Sequence, residues 1–182
     1  MRKFSLVLLI GLLAFTLAGC SQLNTQTSFR FNESGMMDIK ITLRADKAMA
    51  ENQAKTFIWG LQNSIPELQN NYTFTKETRT IDYSDYLYYT FETKEKIDPG
   101  RHKYITLNEN SDGSYKFQLN IPALLSEVSE SEKDSRAFTI SVILPKEIEM
   151  SNSRDVEGNK ATWTIYYHEL TDETSLKAIT RN

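Results

Sequence analysis

Apolar residues recur at every second position in several segments of this chain, and this period of two constrains the fold more than any other feature. In the first such segment the apolar positions are odd-numbered: Phe29, Phe31, Met37, Ile39, Ile41 and Leu43. Alternation of this kind is typical of β-strands that bury one face. The polar run Asn32-Glu33-Ser34-Gly35 interrupts it, so the segment predicts a β-hairpin.

The rest of the chain adds further strands and one helix. Strands are predicted at Tyr72–Thr80, Asp85–Thr93, Lys103–Asn108, Tyr115–Ile121, Ala137–Leu144 and Ala161–His168. Asp46 is placed to cap a helix that runs to Ile65, with apolar residues every three or four positions and Pro66 after its end. Leu124, Leu125 and Val128 suggest a second, short helix. The predicted fold class is α+β, with about seven or eight strands and one main helix.

The N-terminus has the pattern of a secretory signal. Arg2 and Lys3 precede an apolar run from Leu6 to Phe15, and small residues follow it at Ala18 and Gly19. A transmembrane helix is the first alternative, but the apolar run is shorter than the roughly 20 residues needed to cross a bilayer. Ordinary cleavage after Ala18, which would leave Cys20 unmodified, is the second.

The sequence Leu17-Ala18-Gly19-Cys20 resembles the lipobox of bacterial lipoproteins. That resemblance implies cleavage between Gly19 and Cys20 and a diacylglyceryl group on the Cys20 sulfur, with palmitate as a suitable metabolic label. Two acyl chains suffice for stable anchoring, so we expect a lipid-anchored protein on the extracytoplasmic face of the cell membrane. The expected organisation is a signal peptide at 1–19, a lipidated cysteine and tether at 20–28, one domain at 29–170 and a polar tail at 171–182.

Charge and motifs argue against several function classes. The formal net charge is −3 without any run of Lys or Arg, so nucleic acid is not an expected partner. The two histidines, His102 and His168, lie in different elements without a metal-ligand spacing. Carboxylate pairs such as Asp82/Asp85 and Glu130/Glu132 could in principle serve glycoside hydrolysis, but charge runs are ordinarily solvated. We therefore expect that the protein is not an enzyme and that it has no catalytic residues, metal or cofactor.

Aromatic residues are the informative candidates for binding. In Tyr86-Leu87-Tyr88-Tyr89-Thr90-Phe91 the odd positions share one face of a strand, and Tyr86 and Tyr88 share the other. Tyr166 has a similar position near the C-terminus, and Trp59 lies opposite the apolar stripe of the predicted helix. We name these four residues as candidate ligand or partner contacts. The alternatives stay open: tyrosine is also a good strand former, and Trp59 could pack under a neighbouring loop.

A longer stretch resembles a known family. Leu144-Pro145, Ser151-Asn152, the turn at Gly158-Asn159 and the strand around Trp163 are similar to the C-terminal part of LppM-like bacterial lipoprotein domains. The resemblance implies a helix-grip-like α+β fold, in which a curved antiparallel sheet of about seven or eight strands packs on the main helix. It also implies a role in binding lipid or glycolipid at the cell envelope. Several members carry a C-terminal membrane helix, whereas this chain ends in the polar segment Thr171–Asn182.

The leading functional hypothesis is a binding module for a lipid or another apolar envelope molecule, held at the membrane by lipidated Cys20. The alternative is a structural or adaptor lipoprotein that binds another envelope protein through its aromatic faces. An enzyme ranks third. A ligand-sized apolar site would favour the first hypothesis, an exposed aromatic patch the second, and convergent buried carboxylates the third.

Overall fold

The computed structural model describes residues 24–46 and 71–182, and these residues are almost entirely β-structure. The strands are β1 (Asn24–Phe31), β2 (Met37–Asp46), β3 (Tyr72–Ile81), β4 (Ser84–Thr93), β5 (Ile105–Glu109), β6 (Tyr115–Ile121), β7 (Arg136–Ile143), β8 (Ile148–Ser151), β9 (Asp155–Glu157), β10 (Lys160–Tyr166) and β11 (Thr174–Thr180). Two short 3-10 turns accompany them, at Pro99–Arg101 and Tyr167–Leu170.

The strands form two sheets. The first has the order β3-β4-β2-β1-β7-β10-β9, and the second has the order β5-β6-β11-β8. Neighbours pair antiparallel except β1 and β7, which run parallel with Gln26 opposite Thr139. That parallel pair joins the N-terminal hairpins to the C-terminal strands in one continuous sheet.

The first hairpin forms as the alternation predicts. Phe31 of β1 is opposite Met37 of β2, and the turn between them is stabilised by Asn32, whose Oδ1 accepts hydrogen bonds from Met36 N and Ser34 Oγ, both at 2.9 Å. Gly35 has φ = +75°, which a residue with a Cβ adopts only under strain. The predicted hairpin is confirmed.

One face of the first sheet, called here the inner face, carries the core. Its buried side chains include Phe29, Ile39, Ile41, Leu43, Leu87, Tyr89, Phe91, Ile140, Val142 and Trp163. The second sheet supplies buried Phe117, Leu119, Leu176 and Ala178 to the same cluster. Phe117 is central to the contact, because its ring centroid lies 5.7 Å from that of Phe31 and 6.3 Å from that of Trp163. The two sheets thus cover each other in part.

Asn152 joins the two sheets directly after β8. Its Oδ1 accepts the indole N–H of Trp163 on β10 at 3.0 Å and the backbone N–H of Lys177 on β11 at 2.8 Å. Its Nδ2 donates to the carbonyl of Ser175 at 2.7 Å. The preceding Ser151 donates from Oγ to the Lys177 carbonyl. The Ser151-Asn152 pair therefore has an architectural role.

The α+β fold-class prediction is wrong. The described residues contain two sheets rather than one curved antiparallel sheet, and their helical residues are those of the two 3-10 turns and Asn71. The physical reason is that β6 and β11 present their own apolar faces, so that a second sheet covers the inner face of the first around Phe31 and Trp163. The helix-grip-like arrangement implied by the family resemblance is wrong for the same reason.

Three local expectations also differ from the structure. The segment around Leu124 and Leu125 has no regular secondary structure instead of a helix, and both backbone N–H groups donate to the carbonyl of Leu170. β1 already begins at Asn24, within the expected tether. The expected polar tail at 171–182 contains β11, whose Leu176 and Ala178 are buried.

Other expectations fall outside the described residues. These are the signal peptide at 1–19, the cleavage site at Gly19, the lipid attachment at Cys20, and the predicted helix that includes Trp59. Asp46, the expected helix cap, is the last residue of β2. Within residues 24–46 and 71–182, no helix is long and apolar enough to cross a membrane.

Candidate functional site

Two buried hydroxyl groups lie in one row across the inner face of the first sheet. Thr25 on β1 is opposite Leu43 on β2, and Leu43 is opposite Tyr89 on β4. Thr25 is 1% exposed and Tyr89 is 2% exposed. Among the described residues, neither Thr25 Oγ1 nor Tyr89 OH has a hydrogen-bond partner. With one strand between them, their Cα atoms are about 10 Å apart.

The surroundings of these hydroxyls are mostly apolar, although the Lys76 Nζ lies 5.7 Å from the centroid of the Tyr89 ring. The next row toward the β1–β2 turn contains Thr27 on β1, Ile41 on β2, Phe91 on β4 and Phe74 on β3. Phe74 packs over both neighbouring rings, with centroid distances of 5.1 Å to Phe91 and 6.1 Å to Tyr89, yet it remains 43% exposed. We call Thr25, Leu43, Tyr89, Phe91 and Phe74 the hydroxyl patch. It extends from a buried interior to an accessible aromatic edge.

A buried hydroxyl without a partner is unfavourable. Leaving such a group unsatisfied costs on the order of 1–3 kcal/mol, and most buried polar groups in native proteins are paired. Two of them on one apolar face therefore require an explanation. A bound molecule with a hydrogen-bonding group would supply one, because a tyrosine or threonine hydroxyl can both donate and accept.

Tyr86 and Tyr88 lie on the opposite, outer face of β4, as the alternation predicts. Arg44 lies over the Tyr86 ring, with its guanidinium carbon 4.9 Å from the centroid, and Arg79 lies over the Tyr88 ring at 4.5 Å. Cation–π contacts of this kind stabilise partly exposed rings. Both tyrosines are thus covered in part by arginines of neighbouring strands.

Tyr166 belongs to a different region. It ends β10, is 38% exposed, and stacks on the ring of His168 with a centroid distance of 6.0 Å. Three strands separate β10 from β4, so Tyr166 is roughly 19 Å from the Tyr86 and Tyr88 strand. The structure does not bring these three tyrosines into one site, and Trp59 lies outside the described residues.

The groups considered for acid–base or metal chemistry are engaged locally. Asp85 accepts a hydrogen bond from Thr80 Oγ1, Glu132 accepts one from Ser129 Oγ, and Glu130 pairs with Lys133. His168 Nδ1 is 2.7 Å from the carbonyl of Lys133. In the part of the chain that the structure describes, no three His, Cys, Asp or Glu side chains group closely enough to hold a metal ion.

An open groove of about 590 Å³ lies elsewhere, near the C-terminus. It is lined by Pro145, Lys146, Glu147, Gly158, Asn159, Arg181 and Asn182. Four of its polar side chains have partners within the protein: Lys146 donates to the Gly113 carbonyl, Asn159 donates to the Leu144 carbonyl, and Arg181 pairs with Glu147. Among the described residues, no buried unpaired side-chain group lines this groove, in contrast to the hydroxyl patch.

Sequence reasoning identified the strand of the hydroxyl patch but missed its chemistry. The alternation around Tyr86–Phe91 predicts that Tyr89 points inward with Leu87 and Phe91, which the burial of all three confirms. Thr25 was expected in a tether. Its position opposite Leu43 depends on β1 starting at Asn24, and the polar residues of that segment carry little sign of a strand.

Comparison with known proteins finds distant likeness among solved structures. No family model matches the sequence. No curated protein matches it either. Among solved structures, the chain is similar to the folded domain of the LppM protein of Mycobacterium tuberculosis, determined by NMR, with a TM-score of 0.46 and 11% sequence identity. The match covers 88% of this chain and 90% of that one. No inference about function is drawn from it.

Proposed function

We propose that this protein is a membrane-anchored extracytoplasmic lipoprotein that binds an apolar molecule at the hydroxyl patch. The observation that carries the binding role is the pair of buried hydroxyls, Thr25 Oγ1 and Tyr89 OH, without partners among the described residues. In this role the protein binds and does not catalyse.

The chemistry of the patch indicates the class of ligand. Leu43, Phe91 and Phe74 offer apolar surface, and two hydroxyls from residues whose Cα atoms are about 10 Å apart offer hydrogen bonds. Molecules that match both have hydrocarbon chains joined to carbonyl or hydroxyl groups. Acyl lipids and glycolipids are of this kind, and they are present at the membrane where Cys20 would hold the protein.

A lipid anchor at Cys20 would hold the hydroxyl patch close to the membrane lipids. β1 begins at Asn24, so only Ser21, Gln22 and Leu23 separate it from Cys20. At roughly 3.5 Å per residue, Cys20 and Asn24 are within about 14 Å. Thr25 is the next residue along. The lipid attachment site and one of the patch hydroxyls are therefore neighbours along the chain.

A second candidate function is an adaptor that binds another envelope protein. The outer face of β4 favours it, because Tyr and Arg are enriched in the energetic centres of protein interfaces and this face combines Tyr86 and Tyr88 with Arg44 and Arg79. Substituting Tyr86 and Tyr88 should disrupt this function and leave ligand binding at the hydroxyl patch intact.

Native mass spectrometry of the full-length protein, purified in detergent from its membrane, tests ligand binding. We expect a bound lipid mass on the wild type, a lower occupancy in Tyr89→Phe, and unchanged occupancy in Tyr86→Phe, the matched control on the outer face. Tyr89→Phe should also leave thermal stability equal or higher, because it removes a buried unsatisfied hydroxyl. Absence of any bound lipid, or equal occupancy in both variants, would contradict the proposal.

Metabolic labelling with palmitate tests the anchor separately. Cys20→Ala should abolish incorporation of the label. It should also leave a precursor that still carries residues 1–19, because in lipoprotein processing the cysteine sulfur is acylated before the signal peptide is cleaved. Label that persists in the variant would show that Cys20 is not the attachment site, whatever the result for the hydroxyl patch.

A further inference from the structure

β3 is a long, accessible edge of the first sheet. It pairs with β4 over all ten of its residues, and within the described residues it has no strand on its other side. Thr73 to Ile81 are all exposed. Sheet edges in natural proteins are usually short, bulged, charged or interrupted by proline, because an open edge pairs readily with other strands. β3 is regular along its whole length and contains no proline, and its charged residues, Lys76, Glu77 and Arg79, carry both signs.

The backbone groups that face outward along this edge can be identified. At one end of the hairpin, Lys94 N donates to Asn71 O. At the other end, Asp82 and Tyr83 form a two-residue turn with φ values of 47° and 65°, so the flanking Ile81 and Ser84 form a hydrogen-bonded pair. Odd-numbered residues therefore bond to β4. Antiparallel bonding alternates along the strand, so the N–H and C=O groups of even-numbered residues, including Thr78, point away from the sheet.

We propose that two copies of this protein pair through their β3 strands, antiparallel, on a two-fold axis at Thr78. In this register Thr78 is opposite Thr78 of the second copy, and the two residues exchange both backbone hydrogen bonds. Glu77 is opposite Arg79 of the second copy, and Arg79 is opposite its Glu77. Each of these lies in the closer, non-hydrogen-bonded type of pair, where opposite charges are favourable.

The charges on β3 select this register over its neighbours. An axis at Lys76, Glu77 or Arg79 would place that residue opposite its own copy, and like charges directly opposite are destabilising. An axis at Thr75 leaves Lys76 opposite Phe74 and Glu77 opposite Thr73. An axis at Thr78 avoids these unfavourable contacts, and in that register Glu77 and Arg79 form two ion pairs between the copies. Glu77 and Arg79 already contact each other within one copy and remain about half exposed, so they are accessible for pairing across the axis.

In the resulting dimer the first sheets of the two copies join into one continuous sheet. The N-terminal anchors of both copies lie on the same side of the dimer. A two-fold axis perpendicular to the sheet places the inner faces of both copies on the same side. A two-fold rotation also leaves the height of every residue along the axis unchanged. The two Asn24 residues are therefore at equal height, which is the arrangement that two lipid anchors in one membrane require.

Charge exchange tests the pairing in the full-length protein, by sedimentation equilibrium in detergent. Arg79→Glu places two glutamates opposite each other across the interface, and Glu77→Arg places two arginines opposite each other. Each single variant should weaken dimerisation by about tenfold or more, because like charges across an interface are strongly unfavourable. The double variant Glu77→Arg/Arg79→Glu restores opposite charges and should recover dimerisation to near the wild-type level. A monomeric wild type, or a double variant as weak as the single ones, would overturn the proposal.

Cysteine cross-linking in the membrane tests the register. Cα atoms of a hydrogen-bonded antiparallel pair are about 5.5 Å apart, within the range of a disulfide. Thr78→Cys should therefore form a disulfide-linked dimer on oxidation. In the same register two copies of position 75 are roughly 20 Å apart along the strands, so Thr75→Cys is the matched control and should stay monomeric. The wild type, with Cys20 as its single cysteine, reports any background linkage.

Each other outcome of the cross-linking experiment contradicts the proposal. A dimer from Thr75→Cys without one from Thr78→Cys would place the axis elsewhere on β3. A cross-linked product of a different mass would show that the edge accepts a strand of another protein. Equal yields from both positions would indicate random collision.

Discussion

The side-chain amide of Asn152 makes three hydrogen bonds to two strands, β10 of the first sheet and β11 of the second. Its Oδ1 is shared by the Trp163 indole and the Lys177 backbone, and its Nδ2 donates to the Ser175 carbonyl. Asn152→Ala removes all three bonds and leaves the indole N–H of a 7%-exposed tryptophan without its acceptor. We expect a loss of about 2–4 kcal/mol in the free energy of unfolding, measured by urea denaturation.

Asn152→Asp distinguishes the contribution of the side-chain oxygen, which accepts hydrogen bonds, from that of the side-chain amide nitrogen, which donates one. The aspartate keeps an oxygen for Trp163 and Lys177 but cannot donate to the Ser175 carbonyl. Its cost should be smaller than that of Asn152→Ala. If the two variants were equally destabilised, the bond to Trp163 would contribute little. The sequence marked Ser151-Asn152 as part of a family resemblance, yet the contacts that explain the asparagine lie on strands distant in sequence and could not be derived from its neighbours.

Strand β11 shows how an element can be essential although its sequence is inconspicuous. It lies between β6 and β8 in the second sheet, and Leu176 is 2% exposed. Leu176→Ala should lower the free energy of unfolding by about 2–5 kcal/mol, as for other buried leucines. The adjacent Lys177→Ala, on the exposed face, is the control and should change it by less than about 0.5 kcal/mol. Equal thermal melts for the two variants would mean that β11 does not support the core.

Strands with strong alternation were predictable and weaker ones were not. β2, β4, β6, β7, β10 and the Phe29–Phe31 end of β1 coincide closely with apolar residues at every second position, because a buried face selects them. β11 buries Leu176, Ala178 and the polar Thr180, and all three residues of β9 are exposed, so neither has a strong apolar pattern. The parallel pairing of β1 with β7 is also not encoded locally. It arises from packing between segments far apart in the sequence.

At the scale of the whole molecule, Tyr115 connects the second sheet to the first hairpin. Its OH donates to the carbonyl of Glu33 at 3.0 Å, in the turn between β1 and β2. Burial raises the pKa of Tyr115 above its usual value of 10.0, and the charges of Glu109 and Glu33 raise it further. Folding therefore favours the protonated phenol. Its contribution to stability is fully present below pH 10 and is lost as the pH rises through the folded pKa.

Tyr115→Phe makes this contribution measurable. Below about pH 9 the wild type should be more stable than the variant by a constant amount, on the order of 1 kcal/mol for one hydrogen bond. Above pH 10 the difference should shrink, because the wild type must keep a proton that its unfolded chain releases. Urea denaturation of both proteins across this range tests the expectation. A difference that stayed constant to the highest accessible pH would show that the Tyr115 proton is not linked to folding.

The parallel pairing of β1 with β7 also determines when the protein can fold. Gln26 and its partner Thr139 are separated by about 110 positions, and contacts of such long range form slowly because a large loop must close first. A chain that emerges from a membrane N-terminus first would have β1 outside long before β7 follows. The hairpin with β2 could form early, but its other edge would stay open until residue 143 had emerged. An exported precursor gains from this delay, since premature folding would block its passage.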